Sequence, residues 1–115
     1  MLYTKYLVTE INIYIGYILQ MNENKLRGPI CAVAASMFDR GITHGSTGNI
    51  SVRLDNDDIL VTPSGSSFGR LEPNEIVKVT KSGKSIGSLL PTKELPLHKA
   101  FYETRGMKSG AVVHL

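Results

Sequence analysis

With 115 residues, 42 % of them hydrophobic and 20 % charged, the chain has the make-up of one small globular domain and not of a disordered tail. Its net charge of +3 is scattered over residues such as Lys25, Arg53, Lys78, Lys93 and Arg105 without a basic run, which excludes a concentrated nucleic-acid-binding face. The single cysteine, Cys31, excludes an internal disulfide, fits a reducing cytoplasm and reads as a small buried hydrophobe.

The chain opens on an apolar stretch, Ile11 to Leu19, of about half the length that a membrane-spanning helix needs. Glu10 and Asn12 interrupt it and no small-residue cleavage site follows, so neither a membrane span nor a signal peptide is expected. Residues 1–20 read as an extension set by the choice of start site, with Met21 as the true start and residues 21–115 as the domain. Leu26, Ile30, Val33, Ala34, Met37 and Phe38 then recur at helical spacing and give one apolar stripe. Gly28-Pro29 is awkward inside that pattern, so the helix is expected either to begin near Pro29 or to break there. Gly41 is its expected stop.

A loop rich in glycine, serine and threonine runs from Gly41 to Gly48. Ile50, Val52 and Leu54 alternate with Ser51 and Arg53, the pattern of a half-buried strand; Asp55 to Asp58 turns the chain, and Ile59-Leu60-Val61 returns it as a hairpin. One small-residue loop enters the first strand and another, Thr62-Pro63-Ser64-Gly65-Ser66, leaves the second. In an antiparallel hairpin those two ends lie side by side, so both loops are expected at one rim of the sheet. Pro73 to Ile76 reads as a helical turn, Val77 to Thr80 as a short strand and Lys81 to Lys84 as a turn. Thr92 can cap a helix over Leu95, Leu97, Phe101 and Tyr102, with Pro96 in its first turn and its end near Arg105-Gly106. Ala111 to Leu115 reads as a buried strand. The order helix, hairpin, strand, helix, strand predicts a mixed α/β sheet.

Oxyanions bind where several N–H groups converge without side-chain obstruction, and both small-residue loops have that composition. Such residues also dominate ordinary turns, so either loop alone is best read as a turn; the two together at one rim, with Thr92 at a helix start beside them, favour an anion site. Glu94, in the first helical turn, is either a surface carboxylate that complements the helix dipole or a general acid/base. His114 follows two valines, where a lone histidine is usually a hydrogen-bonded core residue, and neither His44 nor His98 stands at a recognised metal spacing from it.

Taken together, the runs Thr47 to Arg53, Ile59 to Gly65, Pro91 to His98 and Ala111 to His114 resemble the class II aldolase/adducin-head family, which includes fuculose-phosphate aldolase and ribulose-phosphate 4-epimerase. The stretches Ser64 to Leu71 and Lys93 to His98 look most like the branch that decarboxylates 3-oxo-tetronate 4-phosphates. The resemblance covers about residues 22–115. It implies an α/β fold of three layers, a mixed and mainly antiparallel sheet flanked by helices, cut short at its C-terminal side. It also implies that Gly48, Asn49, Ser64, Gly65, Thr92 and Lys93 hold a substrate phosphate, that Glu94 is the catalytic acid/base, and that His114 is the first histidine of a His-x-His zinc pair. Zinc would polarise the substrate carbonyl and stabilise an enediolate.

Two departures stand out. Thr92-Lys93 occupies the place of two serines in many aldolases, and the second histidine of the pair would fall at position 116. The ligand set for Zn2+ is therefore incomplete in this chain, and the 115 residues by themselves are expected to be poorly stable and inactive. For the full-length family the resemblance implies a cytoplasmic homotetramer with a phosphorylated sugar or sugar-acid substrate and neither nucleic-acid nor membrane partners. A non-catalytic adducin-like assembly module and a sugar-phosphate 4-epimerase are the alternatives. Glu94 and the phosphate-type loops argue against a module, which has no need of them. A small phosphate-binding protein, complete as written, is disfavoured by the apolar strand that runs into Leu115.

Overall fold

A computed structural model describes residues 23–106 and 109–115; the expected extension over residues 1–20 and the start at Met21 lie outside them. Helix α1 runs over residues 23–39. It buries Ile30 and Ala34, with Leu26, Met37 and Phe38 packed partly against the same core. Val33, expected in the stripe, is 45 % exposed, because the buried arc of the helix is narrower than the stripe. The helix neither begins nor breaks at Pro29. That residue is exposed, so the backbone group it leaves unpaired meets water. Burial of Ile30 and Ala34 then outweighs a penalty of about 3 kcal/mol. At the other end Gly41 takes φ 72°, with Gly41 N–H bonded to the Phe38 carbonyl (3.0 Å) and Ile42 N–H to that of Met37 (2.9 Å). This is a Schellman stop, as the glycine predicted.

Five strands follow: β1 (Asn49–Arg53), β2 (Ile59–Val61), β3 (Val77–Val79), β4 (Ser85–Ile86) and β5 (Ala111–His114), with helix α2 (Leu95–Arg105) before the last. They form one sheet in the order β4-β3-β2-β1-β5, every neighbouring pair antiparallel. The expected β1–β2 hairpin is present with Ser51 opposite Val61 and Arg53 opposite Ile59. Its turn uses the Asn56 side chain, which accepts the Asp58 N–H at 3.1 Å, and places Asp57 at φ 68°. The helical turn expected after Leu71 is a 3-10 turn, Pro73–Glu75. The two-residue β4 has no periodicity to announce it.

The period of two along the strands divides the core into two layers. Ile50 and Leu60 face α1, where they meet Ile30, Ala34, Phe68, Leu71 and Ile76. Ile59, Val61, Val77 and Val79 face the other way and meet Tyr102, Val112 and part of Leu95. Helix, sheet and helix make the expected three layers. Three expectations are corrected. The Ser51 face of β1 is not solvated: α2 covers it and Ser51 is fully buried. On α2 the buried side is His98 and Tyr102, while Leu97 and Phe101 are 37 % and 41 % exposed, because the apolar residues of this helix do not share one face. Strand β5 is buried only at Val112; it lies at the sheet edge with one covered face, so Val113 is 43 % exposed.

Candidate active site

Backbone pairing carries four sequence segments to one rim of the sheet. The β1–β2 ladder continues past its strands, with Thr62 N–H bonded to the Ile50 carbonyl (3.0 Å) and Ile50 N–H to Thr62 Oγ1 (3.1 Å). Beyond it Pro63 pairs with Pro91. Thr92 N–H donates to the Thr62 carbonyl at 3.0 Å and Ser64 N–H to that of Leu90 at 2.9 Å. The Pro91 to Glu94 segment is thereby clipped beside Ser64-Gly65. On the opposite flank β5 pairs with β1 so that His114 stands across from Asn49.

The result is an open cleft of about 380 Å³ lined by Gly48, Asn49, Ser64, Gly65, Thr92, Lys93, Glu94 and His114, every candidate residue read from the sequence. Gly48 has φ 89°, and a Cβ there would sit 3.0 Å from the Phe68 ring and 3.1 Å from Thr43 Cγ2, so conformation and space both demand glycine. Gly65, at φ 71°, forms the tip of a turn closed by Ser66 Oγ donating to the Pro63 carbonyl at 2.8 Å. Thr92 is buried, and its Oγ1 accepts the Glu94 N–H at 3.2 Å. The expected capping role of Thr92 therefore moves one step upstream: it shapes the turn before α2, and Glu94 itself stands at the N-cap position. Lys93 and Glu94 are both exposed and bring opposite charges to the cleft.

His114 is partly buried rather than a core histidine, and its buried Nδ1 has no hydrogen-bond partner among the described residues. An orphaned ring nitrogen on a residue that lines this cleft suits a metal ligand. No group of three or more ligand-type side chains gathers anywhere among the described residues, so these residues do not by themselves form a zinc site.

Behind the cleft wall lies a set of polar contacts that composition did not reveal. Asn49 Oδ1 is 2.5 Å from His98 Nε2, His98 Nδ1 is 2.6 Å from Ser51 Oγ, and Ser51 Oγ is 2.6 Å from the Tyr102 hydroxyl. At the far end of the same row, Arg53 Nη2 donates to the Gly106 carbonyl at 2.7 Å and its guanidinium lies over the Tyr102 ring, 5.5 Å from the centroid. Asn49, Ser51 and Arg53 alternate on one strand face, and His98 and Tyr102 stand one helical turn apart; those two spacings are the signal that could have found the set. Burial above all, and then the charge of His114, hold the His98 ring below its ordinary value of 6.5, against a smaller opposing effect of Glu94. Burial pushes the Tyr102 phenol above its ordinary 10.0.

Comparison with known proteins bears on this geometry. The profile described as "Class II Aldolase and Adducin N-terminal domain" matches residues 29–115. The chain is 44 % identical over 92 residues to the 3-oxo-tetronate 4-phosphate decarboxylase of Cupriavidus necator, covering 80 % of this chain and 42 % of that one. It is 36 % identical over 94 residues to the L-fuculose phosphate aldolase of Escherichia coli, covering 82 % and 43 %. Among solved structures it is similar to Escherichia coli YgbL, with a TM-score of 0.75, 36 % identity and coverage of 81 % and 44 %. The chain thus spans less than half the length of these relatives. No helix among the described residues is long and apolar enough to cross a membrane.

Proposed function

The chain belongs to the Class II Aldolase and Adducin N-terminal domain family, and from that membership we propose that it is the phosphate-binding and acid/base part of a carbon–carbon lyase acting on 3-oxo-tetronate 4-phosphate. What supports this reading is the one cleft that gathers all of the candidate residues, together with the decarboxylases among its relatives. The turns at Gly48 and Gly65, the hydroxyls of Ser64 and Thr92, the Asn49 amide and the Lys93 ammonium hold the phosphate. Phosphate anchored there fixes the rest of the substrate beside Glu94.

In the decarboxylation the C1–C2 bond breaks and carbon dioxide leaves. The electron pair stays on C2, spread over the C3 carbonyl as an enediolate. Glu94 in its protonated form then delivers a proton to C2, leaving a three-carbon ketose phosphate. Aldol cleavage uses the same enediolate and is the second reading, favoured by the fuculose-phosphate aldolase relatives. Zinc belongs to the proposal as the group that would stabilise the enediolate charge, with His114 as one ligand. The described residues hold no set of three ligands, so no step above passes through it. The assembled enzyme is proposed to be a cytoplasmic homotetramer.

The test has two arms. Inorganic phosphate titrated into the 15N-labelled chain is expected to shift the Gly48, Gly65 and Thr92 amides first; an even or absent response overturns the site. Carbon dioxide release from 3-oxo-tetronate 4-phosphate, with zinc present, is expected of the protein purified from its natural source. It should fall about 10²-fold or more in Glu94→Gln while phosphate affinity holds. The 115 residues alone should bind phosphate without turnover.

A further inference from the structure

The contacts behind the cleft run in one direction. In the sense in which the structure orients its carboxamide, Asn49 presents Oδ1, an acceptor only, so His98 Nε2 must donate to it. Nδ1 is then the acceptor of that ring and takes the Ser51 hydroxyl hydrogen. With its own hydrogen committed, Ser51 Oγ accepts from Tyr102. Ser51 and His98 are fully buried, Tyr102 is 6 % exposed and Asn49 9 %. Polar groups so placed contribute little net stability over apolar side chains of the same volume, and they demand every partner. What they provide is orientation.

The oriented group is the Asn49 carboxamide. Its Oδ1 is turned inward to His98, which leaves Nδ2 on the other side. That nitrogen is not among the buried unpartnered atoms, has no protein partner among the described residues, and belongs to a residue that lines the cleft. We propose that His98, locked in its Nε2–H form by Ser51, is a positioning residue that holds the Asn49 carboxamide with its N–H donors toward the phosphate of the substrate. This rests on the reading of Asn49 as a phosphate ligand. Without the lock, the ring can present a bare nitrogen to Asn49. The carboxamide then reverses and offers the anion a carbonyl oxygen, which repels it.

The relay ranks its members. Ser51→Ala removes the donor that fixes the ring. Tyr102→Phe leaves that donor in place, since the Ser51 hydrogen still has His98 Nδ1 to bond. Asn49→Asp keeps the acceptor for His98 and deletes the donors that face the cleft.

Inorganic phosphate is titrated into the intact chain and these variants, followed by the Gly65 amide, and the His98 ring nitrogens are recorded by 15N NMR. In the unmodified chain, hydrogen is expected on Nε2 and not on Nδ1. The dissociation constant is expected to rise about fivefold in Ser51→Ala, with both ring forms now present, the size of one neutral hydrogen bond. It should rise about tenfold or more in Asn49→Asp, and change less than about twofold in Tyr102→Phe. A structural role alone predicts that Tyr102→Phe and Ser51→Ala act alike, and that result overturns the proposal. So does hydrogen on Nδ1 in the unmodified chain, a readout that needs no variant to fold. If the unmodified chain shows the Nε2–H form yet binds no phosphate, the site reading itself falls and takes this inference with it. Phosphate binding that Asn49→Asp weakens and Ser51→Ala does not would overturn only the positioning role.

Discussion

The two faces of the sheet are built differently. Toward α1 an apolar cluster fills the core, with Phe68 the largest fully buried side chain and Ile30, Ala34, Ile50, Leu60, Leu71 and Ile76 around it. Toward α2 one part of the contact is apolar, at Ile59, Val61, Val77 and Val79, and the other is the row Asn49, Ser51 and Arg53 set against His98 and Tyr102. An apolar face tolerates small shifts at little energetic penalty. A face of hydrogen-bonded groups fixes one register of helix on strand, because displacing α2 would leave buried donors and acceptors without partners. The α1 face therefore carries stability, and the α2 face carries the geometry of the rim where the cleft lies.

The division is broken most directly at Phe68. Replacing Phe68 with Ala empties the centre of the α1 face and is expected to lower unfolding free energy by about 3–5 kcal/mol, a large part of the stability of a domain this small. Urea unfolding followed by circular dichroism measures it. Phosphate affinity should survive wherever the variant is still folded, and a folded Phe68→Ala chain that no longer binds phosphate would show that the two faces do not divide their roles.

Arg53 tests the other face at its far end. Its guanidinium binds the carbonyl of Gly106, the residue that caps α2, and covers Tyr102, but it does not line the cleft. Arg53→Gln is expected to destabilise the fold by about 1–2 kcal/mol through loss of a charge-assisted bond at a helix C-terminus. Its phosphate dissociation constant should stay within about twofold of the parent, which sets it apart from Ser51→Ala one residue pair away. Measuring unfolding and phosphate titration on both variants decides whether position along the row matters.

Much of this was legible in the sequence. Strand alternation, turn residues and the convergence of two loops at one hairpin end are local rules, and they give the rim; Asn49, Lys93, Glu94 and His114 are assigned to it by the family resemblance. Gly41 and Gly48 were legible because a left-handed backbone leaves few other choices. The α2 face was not, because its partners are polar: Ser51 and Arg53 read as solvent-facing in a pattern that treats every polar residue as exposed. His98 and Tyr102 differ in the same way from Leu97 and Phe101, which are more apolar and yet more exposed. Pro29 was misread for the opposite reason, since a local penalty was overruled by burial on the far side of its helix.

The smallest effect comes from Tyr102, and pH gives it a sign. Burial raises its phenol above the ordinary 10.0, while the Arg53 charge and the Val112 backbone oppose that rise. The neighbouring His98 is neutral at such pH. The folded chain keeps this proton to a higher pH than the unfolded chain does. The contribution of Tyr102 to stability is therefore whole below pH 10.0 and is lost as pH climbs from there to the folded value. Lysines also titrate in this range, so the useful quantity is the difference between the parent and Tyr102→Phe, taken from urea unfolding on either side of the unfolded phenol value. That difference should favour the parent more at the lower pH, and the phenolate absorbance lost in Tyr102→Phe should belong to a group that ionises above pH 10.0. An equal difference at both values would mean that the phenol is solvated, and that the α2 face is looser than the row from Asn49 to Arg53 implies.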